Sequence, residues 1–368
     1  MIPNVITASK LLAEQEKFTI VTNAGEVEMK VWSDFVSNHP DGNIFQMPEM
    51  YEVYSATVGF DPVFIAILEG DLIKGLMLAV IQTEVTGIAG RFTRRSIIKG
   101  GPLIADSEKE ILDLILTQYD SFVKRKVMYT QVRNWTENSQ IKNVFKDHEY
   151  QFMEHMNILI DLQPPEEQLW LNMKRTKRNR IRKANGENIT CRFEDHQFGL
   201  IDSYHVLKQV YSKIKLPIPR FEFFANLWLK SSDNARLLIY NAEYEDKVIA
   251  TRLILAFNQR LYLFYAGALQ EYNNKCVNDL MNWELMLWGK REGYQVFDFA
   301  GAGNPNKAYG VRNYKMKFGG TIIYPGRYEK EYRPQLFKVV KFGFYVWQWL
   351  RKINDNVKSL TKRINFHV

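Results

Sequence analysis

The sequence predicts an α+β fold with two domains, each built from a mostly antiparallel central sheet flanked by helices. The chain has 368 residues, which is too long for one ordinary core and suits two domains of similar size. The same succession of helices, antiparallel strands, a further helix and a final strand occurs on each side of Pro164-Pro165. This order is typical of α+β folds and differs from the regular strand–helix alternation of a doubly wound sheet.

The first half contains two strand segments joined by a tight turn. Glu69-Gly70-Asp71 is the turn signal between them, and both segments are rich in apolar residues. A helix is predicted after Ser107, because apolar residues then recur at helical spacing. The strands of this half are expected over residues 62–68, 72–82, 127–132 and 150–162.

The second half repeats this order of elements. A meander is predicted around the turn Glu245-Asp246, and a helix links it to a last strand that ends at Phe299. The strands are expected over residues 189–193, 235–244, 248–258, 260–268 and 295–299. The helices are expected from about residue 166 and over residues 200–213, 220–229 and 278–291. Pro164-Pro165 predicts a boundary between domains at residues 1–163 and 164–332.

Residues 333–368 are predicted to form a separate basic amphipathic helix at the C-terminus. Apolar residues recur there every three or four positions from Val346 to Ile364, with lysines and arginines between them. Such helices lie on anionic membranes or dock on their own protein. The sequence leaves both interpretations open.

The overall charge favours polyanionic partners. The formal net charge is +8 and the pI is about 9.1, which fits nucleic acid, a phosphate-bearing precursor or an anionic membrane surface. The only cysteines, Cys191 and Cys276, lie far apart without a CxxC motif, so neither a disulfide framework nor a zinc site is expected. The chain contains no HExxH, GxxxxGK[ST] or GxSxG motif, which argues against metalloprotease, NTPase and serine hydrolase chemistry.

The predicted location is the cytoplasm. The segment Met1–Phe18 lacks the apolar stretch of a secretory signal, and no segment has the ~18–20 apolar residues that a membrane-spanning helix needs. We therefore expect a protein that is soluble or peripheral at the inner face of the plasma membrane, and we expect no metal cofactor.

The densest group of charges lies on the helix predicted from residue 166. Lys177 and Arg180 fall inside its apolar arc, whereas Arg178 and Arg182 lie on the opposite face. A charge inside an apolar arc is costly unless it is paired, so Lys177 and Arg180 are expected to meet a carboxylate, a phosphate or a cleft. The alternative is a solvated face with two side chains whose charged ends reach the surface.

A second group of polar residues follows the predicted strand that carries Asp298. A glycine-rich bend leads through Asn304 to Tyr309, and Lys315 and Lys317 come after it. The bend is a poor dinucleotide fingerprint, because it lacks the third glycine. Lys315 is suited to bind a phosphate or to stabilise an oxyanion that develops in a transition state. The alternative is a loop with an exposed lysine.

Three stretches of this sequence are similar to motifs of the Fem-type aminoacyltransferases, which build peptidoglycan interpeptide bridges. The chain also resembles related acyltransferases of the GNAT superfamily that occur among cell-envelope and exopolysaccharide genes. Arg178–Ala184 resembles the RNxIRKA helix of the family, and Phe297–Phe299 with Tyr314–Gly320 resembles its FDF and FKxxFGG motifs. Gly42–Gln46 and Gly101-Pro102 resemble motifs of its N-terminal half.

The resemblance implies two tandem GNAT-like domains with a cleft between them. It further implies that a substrate amine attacks a thioester or an aminoacyl ester without a covalent enzyme intermediate. In this scheme Lys315 and Asp298 are catalytic: Lys315 steadies the tetrahedral oxyanion or a phosphate, and Asp298 orients the site. The substrate-binding residues that we expect are Lys177, Arg178, Arg180, Arg182, Tyr265, Asn304, Tyr309 and Lys317.

Two departures from the family leave the donor open between acyl-CoA and aminoacyl-tRNA. The helical hairpin of the tRNA-dependent staphylococcal-type enzymes has no room before Asp298, and residues 268–275 lack the pyrophosphate signature of ordinary GNAT enzymes. The predicted acceptor is an amine of a phosphate-bearing envelope precursor, either peptidoglycan or a surface saccharide, with tRNA as a further possible partner. The alternative is a non-catalytic GNAT-like protein that binds nucleic acid or an anionic membrane through its basic cleft. In a third interpretation only the second half is catalytic and the first is a scaffold.

Overall fold

The computed structural model describes residues 17–83, 93–105, 108–137 and 141–335. Within these ranges the chain forms two β-sheets with helices packed against both faces of each. The strands are β1 (Thr19–Val21), β2 (Phe60–Glu69), β3 (Leu72–Gln82), β4 (Arg95–Lys99), β5 (Leu103–Ile104), β6 (Tyr129–Arg133), β7 (Gln151–Met153), β8 (Met156–Asp161), β9 (Thr190–Glu194), β10 (Ala235–Tyr244), β11 (Lys247–Phe257), β12 (Arg260–Ala268), β13 (Val296–Gly303), β14 (Thr321–Ile323) and β15 (Arg327–Glu331).

The helices of the described residues follow the apolar periodicity of the sequence. Ser107, the expected cap of the third helix, and residues 336–368 of the predicted C-terminal helix lie outside the described residues. The helices are α1 (Met29–Asn38), α2 (Pro48–Ser55), α3 (Lys109–Val123), α4 (Lys142–Asp147), α5 (Glu166–Asn172), α6 (Arg175–Asn185), α7 (Gln197–Lys213), α8 (Phe221–Leu229), α9 (Val277–Arg291) and α10 (Gly310–Met316).

The predicted α+β class with mostly antiparallel sheets is confirmed. The first sheet has the strand order β1-β2-β3-β4-β6-β15-β7, with β5 also paired to β3, and the second has the order β14-β8-β13-β12-β11-β10-β9. Each sheet contains a meander (β2-β3-β4 or β10-β11-β12) followed by one parallel pair, which is β4–β6 or β12–β13. A helix makes the crossover between the strands of each parallel pair, namely α3 or α9. The two sheets therefore have the same plan.

Each sheet contains a strand from the other half of the sequence: β8 lies in the second sheet, and β15 lies in the first. The sequence predicts one strand over residues 150–162, whereas the structure has β7 in the first sheet and β8 in the second. In return β14 pairs with β8 in the second sheet, and β15 pairs with both β6 and β7 in the first. The chain crosses from the first sheet to the second between β7 and β8, and it crosses back between β14 and β15. The division into domains at residues 163 and 332 stays a prediction.

Three apolar cores formed by the described residues hold these layers together. The largest lies between the sheets and joins residues of the first half, such as Trp32 and Phe64, to residues of the second, such as Phe223 and Tyr262. One further core lies under α3 and α4, and another under α5, α6 and α9. Strands β3 and β11 are nearly continuous runs of buried apolar residues because helices cover both faces of their sheets.

The helix expected from residue 166 is two helices. It breaks at Met173 and Lys174, whose extended backbone ends α5 and begins α6. Lys177, Ile181 and Ala184 form the buried face of α6, so the predicted apolar arc exists within the second helix. No helix among the described residues is long and apolar enough to cross a membrane.

Candidate active site

The second sheet opens between its two parallel strands. β12 and β13 pair only over Arg260–Tyr262 and Val296–Asp298. Beyond Tyr262, β12 continues to pair with β11, whereas β13 follows β8 through two register shifts around Gly301. The strands therefore part in a V, and this opening exposes backbone groups that a continuous sheet would pair.

The side chain of Lys315 contacts the part of β13 that is no longer paired with β12. Its Nζ donates hydrogen bonds to the carbonyl oxygens of Phe299 and Gly301, at 2.6 and 2.8 Å. An ammonium has three N–H donors, so one remains for the oxygen of a substrate. Burial lowers the pKa of Lys315 to about 8, and the charge of Asp298 opposes this change. The side chain is thus mainly charged at neutral pH and holds a donor in a fixed place.

The glycines after α10 fix the helix that carries Lys315. Gly319 has a φ of +89°, and a Cβ at this position would lie 2.8 Å from the carbonyl oxygen of Asn172. The carbonyl of Lys317 accepts a hydrogen bond from the backbone N–H of Lys174 at 2.9 Å. The FGG motif therefore lets the chain pass close beneath α5, and this contact sets the position of Lys315.

Asp298 is fully buried and shapes the bend that Lys315 contacts. Its Oδ1 accepts a hydrogen bond from the backbone N–H of Ala300 at 2.7 Å, while its Oδ2 has no partner among the described residues. Ala300 has a φ of +57°, which is unusual for a residue with a side chain. Burial raises the pKa of Asp298 to about 6. Asp298 is therefore placed to orient the carbonyls on either side of Ala300.

The raised pKa of Asp298 predicts a pH-dependent gain of stability in Asp298→Asn. Moving a carboxyl pKa from 3.8 to about 6 means that the ionised folded state is disfavoured by about 3 kcal/mol. Because the folded pKa is the higher one, this loss of stability develops as pH rises through the range between the two values. Urea unfolding should show the variant and the wild type similar at pH ~4 and the variant more stable at pH ~7.5. A difference that does not change with pH would contradict this assignment.

Lys177 and Arg180 share one buried carboxylate. The Nζ of Lys177 donates to Oδ1 of Asp279, and Nε of Arg180 donates to Oδ2 of Asp279 at 2.5 Å. Lys177 is 4% exposed and lies over the ring of Tyr314, whereas the Arg180 side chain is 50% exposed. The sequence predicted a carboxylate, a phosphate or a cleft as the partner of these two cations, and in the structure the partner is the carboxylate of Asp279. Lys177 therefore belongs to a buried ion pair, and its predicted role in substrate binding stays a prediction.

Arg178 and Arg182 of α6 have their contacts within α5 and α6. Arg178 donates to the carbonyl oxygen of Leu171 at 3.0 Å. Arg182 donates to Oδ1 of Asn179 at 3.1 Å and lies over the ring of Trp170. The two sequence clusters do meet, but through the contact between Lys177 and Tyr314. Substrate binding by the arginines of α6 stays a prediction.

The remaining candidate residues lie at different distances from the opening. Tyr265 lines the cavity that continues from it, between the two sheets. Asn304 accepts a hydrogen bond from the backbone N–H of Asn306 at 2.8 Å, and Tyr309, the residue before α10, is 41% exposed. Lys317 is exposed at the end of α10. The roles of these four residues stay predictions.

The cavity between the sheets is the space that a substrate would reach from Lys315. It has a volume of about 220 Å³ and opens onto Ala300 and Gly301 of the bend. A Cβ on Gly301 would lie 2.9 Å from Nε2 of His155, so the glycine keeps the bend close to that ring. The cavity lining includes Phe45, Lys99, Arg133, Trp135, His155, Asn157, Tyr262, Phe264, Tyr265 and Arg327.

Three of these lining residues are cations that sequence reasoning missed. Lys99, Arg133 and Arg327 end or begin strands of the first sheet, and strand pairing alone brings them together. Burial and the nearby arginines lower the pKa of Lys99 to about 7. The only sequence signals were that Lys99 ends a basic loop before Gly100-Gly101 and that Arg133 follows the strand predicted over residues 127–132, and both are common and unspecific.

Gln46 of the N-terminal motif holds the strand end that carries Lys99. Its Nε2 donates to the carbonyl oxygens of Leu78 and Lys99, at 3.0 and 2.7 Å, and its Oε1 accepts from the backbone N–H of Leu78. Asn43 reinforces this through a bond to the carbonyl oxygen of Gly100. The motif Gly42–Gln46 thus has a structural role at the edge of the cavity.

Part of the second half of the chain is similar to a known enzyme family. Residues 172–316, which include Asp298 and Lys315, match the family model described as an acetyltransferase (GNAT) domain. This segment of the chain is a GNAT acetyltransferase domain. Lys99, Arg133 and Arg327 lie outside the matched segment. No curated protein sequence matches the chain.

Solved structures show that the whole fold of the chain is shared with other proteins. FemX is 14% identical, with a TM-score of 0.66 over 85% of this chain and 98% of its own. A tandem GNAT protein from the clavulanic acid biosynthesis pathway is 8% identical, with a TM-score of 0.55 over 86% and 98%. The C-terminal domain of a putative lysylphosphatidylglycerol synthetase from Agrobacterium fabrum is 12% identical, with a TM-score of 0.50 over 85% and 94%. The predicted Fem-like tandem GNAT architecture is confirmed.

Proposed function

We propose that this protein moves an activated acyl or aminoacyl group to an amine of a phosphate-bearing cell-envelope precursor. The acceptor would be a peptidoglycan intermediate or a surface saccharide. The observation that carries the proposal is the ammonium of Lys315 at the part of β13 that is no longer paired with β12, with one donor left over. The Fem-type motifs at residues 178–184 and 314–320 support an envelope precursor as the acceptor.

The proposed reaction is a direct attack of the acceptor amine on the carbonyl carbon of the donor. A C–N bond forms, the carbonyl oxygen becomes an oxyanion, and the remaining N–H of Lys315 donates to it. The tetrahedral intermediate then collapses, and the bond between the carbonyl carbon and the thioester sulfur or the ribose oxygen breaks. The proton lost by the amine is taken up by the departing sulfur or oxygen. A donor fixed before the reaction stabilises the developing charge without reorganisation. Asp298 serves by holding the bend to which Lys315 is bonded.

The remaining predicted residues enter this proposal as substrate contacts around the opening. Tyr265 has the best supported place, because it lines the cavity next to the bend. Arg180 keeps a half-exposed side chain after pairing with Asp279 and can contact a substrate at the surface. The proposed substrate-binding residues are Arg178, Arg180, Arg182, Tyr265, Asn304, Tyr309 and Lys317.

Acyl-CoA and aminoacyl-tRNA both remain proposed donors. The match to an acetyltransferase family model favours acyl-CoA. The resemblance to the bridge-building aminoacyltransferases favours a charged tRNA. Either donor presents a carbonyl carbon attached to a good leaving group, so the proposed role of Lys315 is the same for both.

A donor screen tests the proposed function. Full-length protein would be incubated with a panel of acyl-CoAs and of charged tRNAs, with UDP-linked peptidoglycan and amino-sugar precursors as acceptors, and amide products would be measured by mass spectrometry. We expect amide formation with members of one donor class only. Salt-sensitive binding to nucleic acid or anionic vesicles without turnover of any donor would favour the non-catalytic alternative.

A further inference from the structure

The first sheet carries a row of three positive charges on the wall of the cavity. Lys99 and Arg133 are register partners in the parallel pair β4–β6, and Arg133 and Arg327 are partners in the antiparallel pair β6–β15. Residues in register on neighbouring strands point to the same face of a sheet. Like charges directly opposite each other destabilise a sheet, so this row calls for a compensating group.

The described part of the protein does not supply that group. No ion pair joins Lys99, Arg133 or Arg327 to an aspartate or glutamate of the described residues. The charge of Glu329 raises the pKa of Arg327, but the Glu329 carboxylate accepts its hydrogen bond from Gln131. Burial is the main cause that lowers the pKa of each of the three cations, and Arg133 lowers the pKa of both Lys99 and Arg327 further.

Neutral contacts hold the three side chains in place without cancelling their charge. Lys99 lies 4.8 and 5.0 Å from the ring centres of Phe45 and Phe264. Nε of Arg133 donates to Oε1 of Gln131 at 2.7 Å. The terminal nitrogens of Arg133 make no hydrogen bond to another described residue, so they are available to a ligand.

His155 is a neutral hydrogen-bond acceptor that holds Arg327, the third cation of the row. Nη2 of Arg327 lies 2.9 Å from Nε2 of His155. Burial, Arg327 and Arg133 lower the pKa of His155 to about 4, so its ring is uncharged at neutral pH and accepts this bond. His155 is therefore a positioning residue for the guanidinium of Arg327.

We propose that Lys99, Arg133 and Arg327 form a binding site for a phosphoryl group of the acceptor substrate. This inference deepens the proposed function and rests on it. A phosphate monoester, or the diphosphate of a nucleotide-linked precursor, carries close to two negative charges and several acceptor oxygens, and guanidinium groups bind such oxygens in pairs. A single carboxylate would leave the row with excess positive charge.

The position of the row favours the acceptor over the donor. Its three cations all belong to the first sheet, whereas Lys315 and the matched acetyltransferase segment belong to the second half. The cavity reaches from the row to Gly301, whose carbonyl oxygen accepts from Lys315. A phosphoryl group held at the row thus places the rest of the acceptor toward the reacting centre.

The test is phosphate binding by the full-length chain. Inorganic phosphate and acetate at equal ionic strength would be titrated by calorimetry against the wild type, Arg133→Gln and Arg327→Gln. Arg192→Gln is the matched control, because its guanidinium is already paired with Glu243 at 2.5 Å on the second sheet. We expect phosphate to bind, acetate to bind at least ~10-fold more weakly, and each cavity variant to weaken phosphate at least ~10-fold while the control has no effect.

Thermal unfolding without phosphate separates binding from folding. Removing one of several mutually repelling cations should leave the melting temperature of Arg133→Gln unchanged or raised, whereas a purely structural arginine would lower it. Equal affinity for phosphate and acetate, or unchanged phosphate affinity in both cavity variants, would overturn the proposal. If Arg133→Gln is poorly folded, Lys99→Met provides the second variant with the same expected loss of phosphate binding.

Two further measurements identify the source of the phosphoryl group and keep the two proposals distinguishable. CoA that competes with phosphate would assign the site to the donor and overturn the acceptor assignment. Lys315→Ala should bind phosphate as the wild type does. If the protein transfers acyl groups but phosphate does not bind at the row, only this inference is wrong. If phosphate binds at the row but no donor is turned over, only the proposed function is wrong.

Discussion

Lys315→Ala is expected to lower kcat of acyl transfer about 10²–10³-fold, the loss typical for removal of one oxyanion donor. KM should change little, because the proposed contact strengthens only as charge develops on the carbonyl oxygen. The effect is expected to be large because the ammonium is already fixed by bonds to the carbonyl oxygens of Phe299 and Gly301. A flexible surface lysine would not give a loss of this size.

Steady-state kinetics with the donor found in the screen would measure this effect. Lys124→Ala is the matched control, since Lys124 is an exposed lysine at the end of α3 in the first half of the chain. We expect the control to keep kcat within a few-fold of the wild type. Circular dichroism of both variants would verify folding. A Lys315→Ala enzyme that keeps wild-type kcat would show that another group stabilises the oxyanion.

Asp279→Ala is expected to lower the free energy of unfolding by about 3–5 kcal/mol, the range found when one partner of a buried ion pair is removed. Asp279 is fully buried and accepts hydrogen bonds from Lys177 and Arg180. Without the carboxylate, Lys177 has to stay charged without its partner, become neutral or leave the core. Arg180 loses less, because its side chain is half exposed.

Urea unfolding would measure this difference against a second carboxylate variant. Glu243→Ala is the control, because Glu243 pairs with Arg192, whose side chain is 51% exposed. Exposed pairs of this kind contribute about 1 kcal/mol or less. The double variant Lys177→Met/Asp279→Leu removes both buried charges and should recover part of the loss. Equal destabilisation by Asp279→Ala and Glu243→Ala would contradict the structural role of the buried pair.

The parts of the fold that depend on local sequence were predictable. The meander strands β10, β11 and β12 and the crossover helix α9 follow from turn signals and apolar periodicity within short segments. The strand crossings were not predictable in this way, because residues 150–162 read as one apolar segment. Only the pairing of β7 with β15, and of β8 with β13, assigns its two parts to different sheets.

The candidate site was likewise predictable only where it depends on local sequence. Asp298 and Lys315 were found because they lie within one motif, and the structure brings them to the same bend. Asp279 was not expected as the partner of Lys177, since nothing local marks a carboxylate on a distant helix. The row formed by Lys99, Arg133 and Arg327 depends on register between three strands, which periodicity alone does not give.

The strand exchange between the sheets has a consequence for synthesis of the protein on the ribosome. β15 lies between β6 and β7, so the first sheet cannot be completed until residue 331 has left the exit tunnel. A nascent chain that ends after the first half would present β6 with an unpaired edge, which is a site for wrong association. Arg327 arrives on that late strand. The proposed phosphoryl site is therefore complete only after β15 has paired with β6, and a chain that ends before β15 lacks Arg327.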